Sequence, residues 1–272
     1  MNTAAQNYIQ LKNYLEDLKL YQMEAHLDNV LELMDSKQLS VTEGLYRLFK
    51  LEMEAKEERA VNSCVKVAGF PFLKTFEDFD FSFQPVINKQ EILAFKDMRF
   101  IESATNIIFI GSPGVGKTHL SVSIGIESAK NRKSTYFIKC QDLLSQLMKA
   151  KKENRLEERI KHFNKYKVLI VDEIGFLPFE KEAGNLLFQL LEKRYEKKPT
   201  IITTNVSLSK WGELFGDPVV ANAILDRLLH HSKVIKIVGK SYRTKDVDDF
   251  IQKKAANENG MRSIPTKTIE KV

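Results

Sequence analysis

The stretch Gly111–Leu120, GSPGVGKTHL, decides the fold. An apolar run, NIIFI (Asn106 to Ile110), precedes it and an amphipathic segment follows, so a strand feeds a glycine-rich loop and then a helix. The pattern G-x-x-x-x-G-K-T is that of a phosphate-cradling loop. Gly111, Gly114 and Gly116 permit backbone angles that a side chain forbids, so the loop through Ser112, Pro113 and Val115 can close its N–H groups around phosphate oxygens. The helix that follows presents its positive end to the same anion. Lys117 is expected to reach the β- and γ-phosphates, and the Thr118 hydroxyl to hold Mg²⁺. The bland alternative is a strand-to-helix turn that binds nothing. The register of strand, loop, Lys-Thr pair and helix argues against it.

A second motif lies about 55 residues after Lys117, in YKVLIVDEIGFLP. Val168 to Val171 is a continuous apolar run, as in a parallel strand buried on both faces. It ends in Asp172, expected to support Mg²⁺, and Glu173, placed to polarise a water that attacks the γ-phosphate. Two adjacent acids are a poor choice for a merely structural strand end, so loop and acids together predict hydrolysis of a nucleoside triphosphate. A further strand, PTIITTN, ends in Thr203, Thr204 and Asn205. Asn205 could hydrogen-bond the attacking water or the γ-phosphate, or simply form a turn.

The 272 residues carry 43% hydrophobic and 29% charged side chains, ordinary for a globular protein. A net charge of +6 and a pI near 9.0 permit a nucleic-acid partner without demanding one. Cys64 and Cys140 stand far apart, so neither a disulfide framework nor a zinc site is expected. No signal peptide and no apolar run near 20 residues is evident; no membrane partner and a cytoplasmic location are expected.

Residues 1–68 read as a small helical domain. Leu11, Leu15 and Leu18 form one stripe, and Leu27, Leu31 and Met34 another. Ser40 and Glu43 make a capping box for a helix through Leu45, Leu48, Phe49 and Met53. This domain either binds a partner, including a second copy, or only packs. Residues 69–87 change character: GFPFLKTFEDFDFSFQP holds six Phe and reads as an ordered strap along the next domain. Phe76 or Phe79 either helps enclose a nucleotide base or packs in the core. Residues 88–243 carry the nucleotide core, with one helix expected from Asn88 to Ser103. Residues 244–272 form a polar tail, expected to fray beyond Lys254.

Within the core, STYFIK (Ser134 to Lys139) reads as a strand, and Glu180 to Lys197 as a helix. Lys149, Lys151, Lys152 and Arg155 bunch at a helix–helix junction, either as a solvated face or as a contact for double-stranded DNA. His230 and His231 are neighbours on a predicted helix and point about 100° apart, which suits surface histidines rather than a shared metal. Val234 to Val238 is a last strand. Four or five buried strands alternating with helices predict a three-layer α/β core with nucleotide at the strand C-termini.

With these residues in hand, the chain resembles the AAA+ ATPases, and within them the branch of DnaA, DnaC and IstB. The branch marks are TFEDFDF ahead of the core, His119 directly after the loop threonine, and a helical insertion before VLIVDE. DEIGFLP, ITTN, KWGELFGDPVVANAILDRLLHHS and GKSYR are most similar to the IstB-like helper ATPases of insertion-sequence transposition. The resemblance implies a P-loop AAA+ core with a mainly parallel five-stranded sheet behind a helical domain. It further implies ATP and Mg²⁺ as cofactors, and His119 among the nucleotide-binding residues. Asn205 matches a first sensor, Arg243 looks like a sensor-type arginine, and Arg227 matches an arginine finger that reaches the γ-phosphate of a neighbouring subunit. Implied partners are DNA, through the insertion between Gln141 and Lys165, a cognate transposase, and further copies of the chain assembled with ATP. A DnaC-like loader of a replicative helicase is the alternative process, and a small-molecule kinase the alternative chemistry.

Overall fold

The computed structural model describes residues 3–175 and 181–244. Residues 176–180, at the start of the expected helix Glu180 to Lys197, and the tail from 245 onward lie outside the described residues. The chain divides into two compact units, Met1–Cys64 and Val65–Val272.

The first unit is helical. Helices α1 (Thr3–Asp17), α2 (Tyr21–Asp35) and α3 (Val41–Val67) bury Leu15, Met23, Leu27, Val30 and Leu48. The capping box forms: Ser40 N–H donates to Glu43 Oε2 at 2.8 Å, and Glu43 N–H donates to Ser40 Oγ at 3.3 Å. The expected stripes are only partly buried, since Leu11, Leu18, Leu45, Phe49 and Met53 are exposed. Glu52 takes an inward place instead. Its carboxylate, 2% exposed, accepts from the N–H groups of Gln22 and Met23 and pairs with Arg59 at 3.0 Å. It thereby caps α2 from another helix, where Leu20 offers no side-chain cap.

The second unit runs through short helices α4 (Lys89–Leu93) and α5 (Arg99–Glu102) into β1 (Asn106–Gly111) and α6 (Lys117–Lys130). Then follow β2 (Thr135–Lys139), α7 (Cys140–Lys152), α8 (Leu156–Asn164), β3 (Val168–Ile174), α9 (Lys181–Arg194) and β4 (Thr200–Thr204). The last described elements are α10 (Trp211–Leu214), α11 (Pro218–His230) and β5 (Ser232–Ile237). The single helix expected over 88–103 is broken. Met98 takes φ +61°, and Asp97 accepts from Arg99 N–H at 3.0 Å, which starts a new turn.

The five strands form one sheet in the order β2-β3-β4-β1-β5, with every pairing parallel. Its strands are apolar on both faces because helices cover both. Ile107, Phe109, Val168 and Ile170 face one layer, with Phe76, Phe95 and Leu120. Ile108, Leu169 and Val171 face the other, with Leu143, Leu187, Trp211 and Ile224. The three-layer expectation therefore holds, and the sheet is wholly rather than mainly parallel. Among the described residues, no helix is long and apolar enough to cross a membrane.

Candidate functional site

The loop after β1 takes its shape from two glycines with positive φ. Gly114 has φ +81°, and Gly116, the N-cap of α6, has φ +102°. Gly111 is required for another reason than backbone angle. It lies outside the positive-φ region, and a Cβ there would press against the carbonyl of Ile237 on the adjacent strand β5. Lys117 Nζ donates to Gly111 O at 2.7 Å and Ser112 O at 2.8 Å, so the ammonium hangs over the loop it follows. Burial pushes the Lys117 pKa below the ordinary lysine value; Asp172 opposes this and Arg243 adds to it.

Across the cleft, β3 delivers Asp172 and Glu173. In a regular strand two successive residues point to opposite faces, yet both of these line one cleft. A register irregularity between Val171 and Ile174 explains it, with Glu173 at φ +62° and Gly175 at +95°. Thr203 on β4 holds the distortion from beneath. Its hydroxyl donates to Asp172 Oδ1 at 2.6 Å and accepts from Glu173 N–H at 2.9 Å. Asp172 is 2% exposed and also accepts from Thr118 Oγ1 at 2.9 Å. Burial raises its pKa above the usual carboxylate range, while the Thr203 and Thr118 hydroxyls pull it back.

The buried Asp172 carboxylate is held by hydroxyls rather than by an ion pair among the described residues, and a buried carboxylate so placed favours a cation. Mg²⁺ takes oxygen ligands, and Thr118 and Asp172 set a hydroxyl and a carboxylate side by side. The residues present fit that ion. Glu173 reaches the cleft and pairs with Lys139 at 3.2 Å.

The cleft between loop and acids measures about 440 Å³, within the range of small-molecule sites. Its third wall is the aromatic strap. His119 Nε2 lies 2.9 Å from Thr75 O, and Ser123 Oγ donates to Lys74 O at 3.1 Å, so the first turns of α6 tie the strap down. Phe79 packs edge-on against His119 at 5.2 Å and lines the cleft. Phe76, 3% exposed, points into the core beside Ile92 and Phe95 and is not among the lining residues. Of the two phenylalanines proposed for base enclosure or core packing, both are buried in the core cluster and only Phe79, 9% exposed, also lines the cleft.

The chain closes the fourth side with the segment after β5. Tyr242 N–H donates to Gly114 O at 2.9 Å, and the side chain of Gln84 reaches Lys240 O at 2.9 Å. Asn205 and Arg243 both line the cleft. Arg227 does not. It lies on α11, its guanidinium 4.5 Å over the Phe188 ring and 3.7 Å from Glu192, with an N–H to Ala223 O at 3.3 Å.

The basic cluster sits on the hairpin of α7 and α8. Lys149, Lys151 and Lys152 occupy the last turn of α7, and Arg155 caps α8. Lys151 pairs with Glu182, Arg155 with Glu153, and Lys149 with Glu153 at 4.0 Å. Three of the four charges thus have exposed acidic neighbours, the solvated-face arrangement that the sequence left open.

Sequence reasoning passed over two contributors. Thr203 was read only as part of a polar strand end, and Lys139 only as the last residue of a strand. Lys139 pairs in register with Asp172 across adjacent parallel strands. A polar residue at the carboxyl end of a predicted strand was the available signal in both cases.

Residues 13–249 match the family described as IstB-like ATP binding protein. A Bacillus thuringiensis subsp. berliner protein, named for ATP binding and for insertion sequence IS232, is 54% identical over 240 residues, covering 88% of this chain and 96% of its own length. A Pseudomonas aeruginosa protein, named likewise for insertion sequence IS21, is 41% identical over 237 residues, 87% of this chain and 89% of its own. The crystal structure of DnaI is similar in fold, with TM-score 0.51 and 22% identity over 60% of this chain and 90% of that one.

Proposed function

The chain belongs to the family of IstB-like ATP-binding proteins, and from that premise we propose that it is an ATP-hydrolysing helper of insertion-sequence transposition. It assembles on double-stranded DNA with ATP, assists a cognate transposase, and changes state when ATP is hydrolysed to ADP and phosphate.

One observation carries the hydrolytic reading: the irregularity in β3 that turns both Asp172 and Glu173 toward Lys117 and the glycine loop. The loop backbone and Lys117 bind the phosphates. Thr118 and Asp172 hold Mg²⁺, which when bound neutralises phosphate charge. Glu173 would orient the attacking water and take its proton, and Asn205, which also lines the cleft, would hydrogen-bond that water or the γ-phosphate. The ion pair to Lys139 holds Glu173 until the phosphate arrives. Phe79 and the strap cover the base, and Arg243 adds positive charge where phosphate charge collects.

Arg227 lies outside the cleft of its own chain, as a residue that acts on a neighbour's phosphate must. Such an arginine contributes roughly 10³ to 10⁵ in rate, so turnover is low until copies assemble. On DNA, backbone phosphates would replace Glu153 and Glu182 as the partners of Lys149, Lys151 and Arg155 at the exposed end of the α7–α8 hairpin, with Lys152 beside them.

The test compares Lys117→Ala and Glu173→Gln for ATP affinity and for DNA-stimulated phosphate release. Lys117→Ala should lose binding, and Glu173→Gln should bind ATP while hydrolysing it about 10²- to 10⁴-fold more slowly. Wild-type turnover in Glu173→Gln would refute the assignment.

A further inference from the structure

His230 and His231 occupy neither the nucleotide cleft nor a continuous helix. Helix α11 ends at His230, and His231, its C-cap, takes φ −123° and ψ +83°, outside the helical region. The 100° separation expected of helical neighbours is therefore lost, and the two rings lie 4.1 Å apart. Facing them is Glu196, just past the end of α9, with φ +54°. His231 Nε2 is 3.2 Å from Glu196 Oε1, and His230 Nδ1 is 3.6 Å from the same oxygen.

We propose that Glu196, His230 and His231 form a binding site for a divalent transition-metal ion, Zn²⁺ by its donor set. One ligand atom from each residue falls within 4.8 Å of the other two, and all three side chains are exposed. Tetrahedral zinc with bonds of about 2.0–2.1 Å sets its ligand atoms about 3.3 Å apart. The two histidine–carboxylate separations, 3.2 and 3.6 Å, straddle that edge length. Two imidazoles and one carboxylate are the donors zinc accepts, and the outward face leaves the fourth position to water. A second feature favours a cation. α9 and α11 both end at this spot, so the negative ends of two helix dipoles converge there.

The competing arrangement is a plain hydrogen-bond chain, because Tyr195 Oη also lies 2.6 Å from His230 Nδ1. A bound ion would take that nitrogen's lone pair and release the phenol. The metal would then clasp the end of α9 to the end of α11, one helical turn beyond Arg227 and its partner Glu192. It would fix the helix that bears the arginine without touching the nucleotide cleft.

The experiment uses tag-free full-length protein, stripped with chelator and held in excess Mg²⁺ so that the cleft carboxylates are occupied. It is titrated with Co²⁺, read by its visible ligand-field absorption, and then with competing Zn²⁺. One equivalent should bind, with an absorption intensity typical of four-coordination. His231→Ala and Glu196→Gln should each weaken binding more than the roughly tenfold that even an outer-shell partner is worth. His162→Ala should leave it unchanged, and Tyr195→Phe should not weaken it. Glu196 and His231 are exposed and Tyr195 is half-buried, and the emission of Trp211 verifies that each variant is folded. Absence of saturable uptake by the wild type, or uptake that survives both ligand substitutions, would overturn the proposal in favour of the hydrogen-bond chain.

Discussion

Gly116→Ala separates two costs that the loop combines. Gly116 has φ +102° and ψ +9°, and a non-glycine residue held in such a region costs about 1–3 kcal/mol. The added methyl would also lie 2.5 Å from Phe79 Cε2 and 3.0 Å from its Cζ, inside any real contact. Overpacking of that kind costs about 1–3 kcal/mol, so the substitution should destabilise by about 2–6 kcal/mol in all. Phe79→Leu removes Cε2 and Cζ. The nearest strap atom then stands near the present Cδ2 position, at an ordinary 3.7 Å. The double variant should therefore recover the steric part and keep the backbone part, giving a coupling of about 1–3 kcal/mol. Trp211 is the chain's one tryptophan and 0% exposed in the second unit, so urea unfolding followed by its emission reports on the unit that holds the loop. Strict additivity of the two substitutions would refute the claim that the strap sets the size limit at Gly116.

Burial holds the His119 pKa below the ordinary imidazole value, so the unfolded chain takes up more protons in acid than the folded one. Stability present above the ordinary value near 6.5 should thus be lost as pH falls below it, and His119→Gln should show a smaller loss of urea midpoint between about pH 7.5 and 5.5. Arg194→Met should destabilise by about 1–3 kcal/mol or more in the same assay, since it leaves several buried carbonyl groups without a donor. That guanidinium, 1% exposed, donates to the carbonyls of Phe163, Tyr166, Lys167 and Pro199 and to Thr200 Oγ1, and among the described residues no carboxylate pairs with it. Arg227→Ala should bind ATP normally and hydrolyse it poorly. Mixing it with Lys117→Ala subunits should restore part of the turnover, because one interface then joins an intact loop to an intact arginine; a mixture no more active than its components would remove Arg227 from the site.

What could be read in the chain followed from how local each constraint is. The glycine loop and the buried strand ending in Asp172 and Glu173 are written in residue type and period, and both appear where expected. The break at Met98 depends on one side chain, Asp97, outcompeting the helix for a backbone N–H. The need for Gly111 comes from Ile237, and the support of Asp172 from Thr203; in each case the partner sits on a different strand. Neither follows from spacing. The choice between Phe76 and Phe79 turned on which way the strap faces over α6, which only its anchors on His119 and Ser123 decide. The angle between the two histidines rests on where α11 stops, and helix ends are the least legible part of a sequence; the pair is at the surface, as expected.

The closure of the cleft by Tyr242 and by Gln84 with Lys240 fixes an order of events during synthesis. The Gln84–Lys240 hydrogen bond spans 156 positions, and Tyr242 must reach back to Gly114. Contacts this distant form late, after the loop that joins them has been ordered. A chain emerging from the ribosome therefore carries its glycine loop long before it has the fourth wall of its pocket. Fragments that end before Lys240 keep the glycine motif but lack both of these contacts.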